Sequence, residues 1–333
     1  MTIAIELTHA EPLAERAPRG APGPAPFPDM AWIPGGTFRM GSDHHYREEA
    51  PAREVTVQGF WMDRHPVTNA QFSRFMEKTG YVTIAERELE AGDYPGAISH
   101  LLVPGSVVFR PPTGPVLLGN HYAWWEYVPG ASWRRPMGQG SAAAGLSTHP
   151  VVHVAWPDVE AYAAWAGKAP PTEAEWERAA RGGLEAREYA WGDDLSPRGR
   201  MMANVWQGEF PRENLLLDGW ERTSPVGSFP PNGYGLYDMI GNVWEWTADW
   251  WRDGAAAGGS CCGAHSPDDG GREASMDPGQ PGIRIPRKVL KGGSYLCAPN
   301  YCVRYRPAAR IPQQVDTGTG HQGFRCIVRS PAV

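Results

Sequence analysis

At 333 residues, with 41% apolar and 20% charged side chains, the chain suffices for one large domain or two ordinary ones, and its composition excludes a disordered or fibrous protein. A formal net charge of -6 gives no general attraction for nucleic acid or an anionic membrane, and neither is expected as a partner. No apolar run approaches the roughly 18 residues that span a bilayer, and the first 30 residues lack the basic start and apolar stretch of a secretory signal, so a cytoplasmic location is expected.

Forty Gly, 33 Pro and 15 Trp predict much irregular backbone held by aromatic packing, because Gly and Pro interrupt regular elements while Trp supplies large buried area. Five Cys in a reducing compartment do not suggest a disulfide framework. In chain order, residues 1–28 read as a flexible Pro/Ala-rich leader, with ordered structure from near Trp32 and one domain over 29–330. Arg53 to Val57 alternates as a strand does. Thr68 caps a helix with an apolar stripe of Phe72, Phe75 and Met76, closed by Gly80. At His149 and His153, Pro150 and the apolar Val151-Val152 predict entry into a strand rather than a metal-binding helix. Pro157 suits the first turn of a helix carrying Val159, Tyr162, Ala163 and Ala166 and ending at Gly167. Thr172 and Glu175 form a capping box for a helix bearing Trp176, Ala179 and Ala180, ending at Gly182. Residues 253–283, rich in Gly, Asp, Ser and Pro, read as a long loop; the vicinal Cys261 and Cys262 within it have no assigned role. Phe324 to Val328 is predicted to be a strand on which Cys326 packs as a small apolar residue. The fold class these elements indicate is α+β, a single domain with low regular secondary structure.

The segment Lys291-Gly292-Gly293-Ser294-Tyr295-Leu296-Cys297-Ala298-Pro299-Asn300-Tyr301-Cys302-Val303-Arg304-Tyr305-Arg306 carries the strongest chemical signal. A turn through Ala298–Tyr301 would bring Cys297 and Cys302 together, and two converging thiols form a soft site suited to Cu(I). Arg304 and Arg306 would favour the thiolate form. Spacing alone favours plainer alternatives, two buried structural thiols or a labile disulfide. Oxygen-rich groups occur at Asn204, Val205, Asp218 and Trp220, and at Asp238, Gly241, Val243 and Glu245. Both mix side-chain and carbonyl oxygens as Ca2+ sites do, although turn residues and a surface charge would look the same. The run from Trp124 and Trp125 to Trp133 and Arg134 offers aromatics and a cation to an extended peptide, or simply core tryptophans.

With Pro34-Gly35-Gly36-Thr37-Phe38-Arg39-Met40-Gly41, Pro171-Thr172-Glu173-Ala174-Glu175-Trp176-Glu177, Gly241-Asn242-Val243-Trp244-Glu245-Trp246 and Gly323-Phe324-Arg325-Cys326, the segment Lys291 to Arg310 resembles formylglycine-generating enzymes over roughly residues 30–328. Most of these motifs mark a broader superfamily that includes nonenzymatic members; the two cysteines mark its oxidase branch. The resemblance implies a fold related to the C-type-lectin-like fold. It further implies Cys297 and Cys302 as ligands of Cu(I), Ser294 and Tyr301 as hydrogen-bonding groups of the site, and Trp244 as its wall. Two structural Ca2+ ions would occupy the two oxygen-rich sets, and Trp124, Trp125, Trp133 and Arg134 would lie beside a peptide groove. The implied reaction converts the cysteine of a Cys-x-Pro-x-Arg motif in an unfolded sulfatase to Cα-formylglycine, with O2 and an external thiol or other reductant. Lys168-Ala169-Pro170-Pro171 and His321 depart from the family pattern, as does Asp238 where some relatives have Asn. The alternatives are a noncatalytic C-type-lectin-like binding module and, less well matched, a nonheme-iron sulfoxide synthase, which would need a three-histidine site.

Overall fold

The computed structural model describes residues 20–89, 102–253 and 271–329, together with 92, 94 and 96; Cys261 and Cys262 lie outside the described residues. Short strands begin the chain: β1 (Met30–Ile33), β2 (Gly36–Met40), β3 (Arg53–Val57) and β4 (Phe60–Asp63). β2 and β3 pair antiparallel from Gly36 opposite Val57 to Met40 opposite Arg53. Phe38 and Met40 point inward and Arg39 outward, the period-two pattern of a strand with one wet face. β4 lies between β1 and the late strand β11 (Ile327–Arg329), antiparallel to both.

Helix α1 (Asn69–Thr79) has the predicted Thr68 cap, which the structure extends to a capping box with Thr68 Oγ1 accepting from Gln71 N, and stops at Gly80 in the left-handed region (φ 65°). In α2 (Trp156–Trp165), Pro157 occupies the first turn and Asp158 Oδ2 accepts from Ala155 N at 2.8 Å. α3 (Glu173–Ala180) carries the Thr172–Glu175 box. Phe72 of α1 stacks on Tyr162 of α2 at 5.8 Å between ring centroids and meets Phe324 edge-on at 6.4 Å, which joins both helices to the end of the chain.

β5 (Gly105–Phe109) and β6 (Trp125–Pro129) form a hairpin-like pair. A four-stranded sheet has the order β10-β7-β8-β9, from β7 (Trp244–Trp250), β8 (Arg287–Lys291), β9 (Arg310–Gln314) and β10 (Gln322–Gly323); β10 is parallel to β7 and the other pairings are antiparallel. Before β8 lies α4 (Gly271–Ala274), a single short turn. The elements form an α+β fold.

Charged groups are buried where α3 meets β8. Lys291 is fully buried, with Nζ 2.9 Å from Glu177 Oε2, and Glu177 Oε1 also accepts from Arg181 at 2.6 Å. Glu173 binds Arg310 Nε at 2.8 Å. On β7, Glu245 is gripped by Arg325 at 2.7 and 2.8 Å and by Trp176 Nε1 at 2.8 Å. Each of these buried charges meets an opposite one, the condition under which such groups are tolerated.

Three expectations change. Phe27 belongs to the leader as read, yet it packs against the cluster of Met30, Trp32 and Trp61, with Lys168 Nζ 5.0 Å from its ring. The last strand begins at Ile327, not Phe324, because Arg325 is drawn to Glu245 and the carbonyls of Asp63, Arg64 and Tyr237, while Asp63 Oδ2 accepts the Cys326 amide at 3.1 Å. Residues 149–153 form no strand: His153 has φ 60° and is buried, with Nε2 donating to the Pro136 carbonyl at 2.9 Å and Nδ1 2.8 Å from Ser106 Oγ.

Candidate active site

β8 delivers the chain into the site through Gly292 and Gly293. Both have positive φ (92° and 73°), and a Cβ at Gly293 would sit 2.6 Å from the Arg304 carbonyl oxygen, while one at Gly292 would meet Met239 O at 2.8 Å. Only glycine permits this approach without strain. The chain then turns tightly, with Cys297 N donating to Ser294 O at 3.0 Å and Cys302 N to Ala298 O at 2.9 Å. That last bond spans four residues, one helical turn, and so converts a five-residue spacing into side-chain proximity.

Cys297 and Cys302 are both free, and each thiol influences the ionisation of the other. Burial pushes the Cys297 thiol well above its ordinary range, and the neighbouring sulfur adds to the effect. Cys302 moves the other way, because its sulfur accepts from the Cys297 thiol and, with smaller effect, from the backbone at Ala298 and Arg304; the Arg304 guanidinium also helps. The pair is therefore asymmetric, with Cys302 the easier of the two thiols to ionise and Cys297 the harder. Arg304 lies 4.0 Å over the Tyr46 ring and binds Glu48 at 2.5 Å, whereas Arg306, also expected to favour the thiolate, is held by both oxygens of Glu49 at 2.5 and 2.8 Å. The Tyr46–Glu49 segment carried no motif that would single it out; only the fold brings it here.

Ser294 is buried, its hydroxyl accepting from Leu296 N at 3.2 Å and its amide 3.5 Å from the Cys297 sulfur. Trp244, buried on β7, belongs to the same apolar cluster as Cys297. Tyr301 stacks on Phe210 at 4.4 Å and meets Trp124 edge-on at 5.5 Å, while remaining 39% exposed. Trp125 lies 4.8 Å from His321, whose carbonyl accepts from Trp244 N at 2.8 Å. Trp124 and Trp125 thus reach the surroundings of the thiols. Trp133 does not line a groove: it is buried edge-on against Phe72 of α1 at 5.2 Å, a core residue, and Arg134 covers its outer face at 4.3 Å and pairs with Glu86 at 3.4 Å.

The two oxygen-rich sets differ. In the first, buried Asn204 Oδ1 has no hydrogen-bond partner, the Val205 carbonyl and Asp218 Oδ2 both face the Gln207 amide, and Asp218 Oδ1 accepts from Trp220 N at 2.9 Å. Burial raises the Asp218 carboxyl, so a cation there would be welcome, and the set fits calcium. In the second, Gly241 occupies a left-handed turn (φ 78°), where a Cβ would lie 2.5 Å from Asn204 O, and Val243 is buried in the core. Burial pushes Asp238 up to about 6, and its Oδ2 accepts from Gly227 N at 2.8 Å. Glu245 is neutralised by Arg325, so this set does not fit a dication without displacing that pair.

A free dithiol, close behind a Gly-Gly turn, sits in a domain whose residues 16–330 match the family described as Sulfatase-modifying factor enzyme 1-like domain. The formylglycine-generating enzyme of Mycobacterium tuberculosis is 54% identical over 304 residues, 90% of this chain and 97% of that protein. A mouse (Mus musculus) relative, inactive C-alpha-formylglycine-generating enzyme 2, is 38% identical over 93% of this chain and 88% of its own. In fold, PvdO from Pseudomonas aeruginosa superposes with a TM-score of 0.58 at 24% identity, covering 90% of this chain and 94% of that one. The chain belongs to the formylglycine-generating enzyme family.

Proposed function

We propose that this enzyme oxidises the cysteine of a Cys-x-Pro-x-Arg segment in an unfolded sulfatase to Cα-formylglycine, with copper(I) held by Cys297 and Cys302, O2 as oxidant and an external thiol or other reductant. The observation that carries this reading is the pair of free, mutually interacting thiols, Cys297 buried and Cys302 partly buried, with Cys302 next in the chain to the exposed Tyr301. Two thiols suit a soft monovalent ion, and their apolar surroundings keep competing hard donors away. Bound there, copper supplies the activation of O2 that a side chain alone lacks.

The residues of the chain do the rest. Both thiols must lose their protons before both sulfurs can act as donors, and burial makes Cys297 the harder to ionise. Arg304, fixed by Tyr46 and Glu48, offsets the negative charge at Cys302. Trp244 excludes water from one side, while Tyr301 presents a phenol at the mouth. A calcium ion at Asn204, Val205, Asp218 and Trp220 would fix the loop behind Trp206, whose amide donates to the Cys297 carbonyl at 3.0 Å.

The test loads reduced protein with copper(I), adds O2 and a Leu-Cys-Thr-Pro-Ser-Arg peptide, and follows conversion of thiol to aldehyde by mass spectrometry. Copper-dependent aldehyde that disappears in Cys297→Ser and in Cys302→Ser is expected. Peptide binding without product from folded, copper-loaded protein would favour the noncatalytic module instead.

A further inference from the structure

We propose that Tyr46 is a positioning residue for the dithiol: through the amide that follows Cys302 it fixes the backbone from which that sulfur projects, so that both thiols are offered to one soft ion. The ion is the one proposed above, and on that reading the inference rests; the placement of the sulfurs is a property of the chain itself.

The φ and ψ of a residue are set once the peptide planes on either side of it are held. For Cys297 both planes are held by backbone groups: its amide donates to Ser294 O at 3.0 Å, and its carbonyl accepts from Trp206 N at 3.0 Å. For Cys302 the preceding plane is held by Ala298 O, which accepts the Cys302 amide at 2.9 Å. The following plane is held by a side chain, because Val303 N donates to the Tyr46 hydroxyl at 3.1 Å. Residues 302–305 belong to no helix or strand, so no ladder duplicates that bond. Of these anchors, Tyr46 alone can be removed by a substitution.

Tyr46 is itself well placed. It precedes a single 3₁₀ turn, Arg47–Glu49, which is closed by Glu49 N donating to Tyr46 O at 2.9 Å. The other side chains of this turn grip the same limb: Glu48 Oε1 pairs with Arg304 at 2.5 Å, the Glu48 carbonyl accepts from Arg310 Nη1 at 3.2 Å, and Glu49 binds Arg306 at 2.5 Å. The Tyr46 ring seats the Arg304 guanidinium at 4.0 Å. Arg304 in turn acts on the Cys302 sulfur through both its backbone and its charge, and Tyr46 and Cys302 lie within electrostatic reach of one another. A partly buried phenol whose oxygen meets a main-chain amide and whose face meets a cation is committed on two sides, unlike a tyrosine that merely covers a surface.

The experiment uses the full chain carrying Cys261→Ser and Cys262→Ser, so that the vicinal pair binds no probe. Copper(I) affinity is read by competition with a coloured chelator. The dithiol is read separately with phenylarsine oxide, which closes a ring through both sulfurs, releases water and needs no copper. Tyr46→Phe keeps the ring beneath Arg304 and removes the acceptor of Val303 N. Apparent affinity falls with the fraction of molecules that hold the thiols together, so both probes should bind about fivefold more weakly, the worth of one hydrogen bond. Tyr46→Leu removes the seat of the cation as well and should lose about tenfold to thirtyfold, with circular dichroism checking the fold. Gly80→Ala, which loosens the fold at the left-handed end of α1, should leave both affinities at the native value. Native affinity for the arsenical in a folded Tyr46→Leu chain overturns the proposal. So does an equal loss in Gly80→Ala, since Tyr46 would then act only through global stability. A native chain that binds the arsenical but no copper(I), with the Tyr46 series still graded, would instead count against the copper reading and leave the positioning role standing.

Discussion

Gly293 shows how one residue type secures the dithiol. Its φ of 73° and the 2.6 Å that would separate an added Cβ from the Arg304 carbonyl mean that any side chain must push apart the two limbs carrying Cys297 and Cys302. Gly293→Ala is expected to lower stability by about 1–3 kcal/mol, read as a shift of the urea midpoint. Copper(I) affinity should fall with it, and unchanged values for both would show that the limbs yield without loss. The glycine was visible in the sequence as part of a motif, but its reason was not. The close approach is made to residues eleven and twelve positions later, and no local pattern encodes it.

Among the elements, α3 and β8 depend on each other through Lys291 and Glu177. Glu177→Gln leaves the buried Lys291 ammonium with only the more distant Glu173 carboxylate, at 3.5 Å, and takes the charged partner from Arg181, at a cost of about 3–5 kcal/mol. A double variant in which Lys291→Met accompanies Glu177→Gln should recover part of that loss in chemical denaturation. If the double variant is as unstable as the sum of its parts, the pair is not coupled. Helix positions were legible in the sequence because capping is local: Thr68 with Gln71 and Thr172 with Glu175 lie within one turn, and Gly80 stops its helix by its own φ. Pairings across the molecule were not legible. Arg325 breaks the strand expected at Phe324–Val328 because its partner Glu245 lies eighty residues away, and Trp133 reads like a groove residue until Phe72 is found beneath it. Of the candidate site, the cysteine pair could be read from the chain, whereas the approach of the Tyr46–Glu49 segment becomes apparent only from packing.

Over the whole molecule, pH should act through buried groups. His153 and His321 are held down to about 4 and about 3, in both cases mainly by burial. Their folded values lie below the unfolded value near 6.5, so the unfolded chain takes up protons first as pH falls, and the stability these histidines contribute is lost from about pH 6.5 downward. Asp158, raised to about 6 by burial, works in the opposite sense between about pH 4 and 6. The difference between wild type and His153→Gln isolates the histidine. Wild type should lose about 2 kcal/mol more than the variant between pH 7 and pH 5, measured by urea unfolding at each pH. Parallel pH profiles would mean that His153 can be protonated without opening the fold.

The Lys291–Glu177 pair, 114 residues apart in the chain, has a consequence for descent. Exchange of either partner alone upsets a buried charge cluster that also holds Arg181 and Glu173, beneath the strand that delivers the thiols, so these positions are constrained together. A lineage could leave that arrangement only through a double change or a weakened intermediate. In a library of random variants selected for activity, substitutions at Lys291 and Glu177 should therefore survive mainly in combination with one another or with changes at Arg181 and Glu173, while the exposed positions around them drift independently.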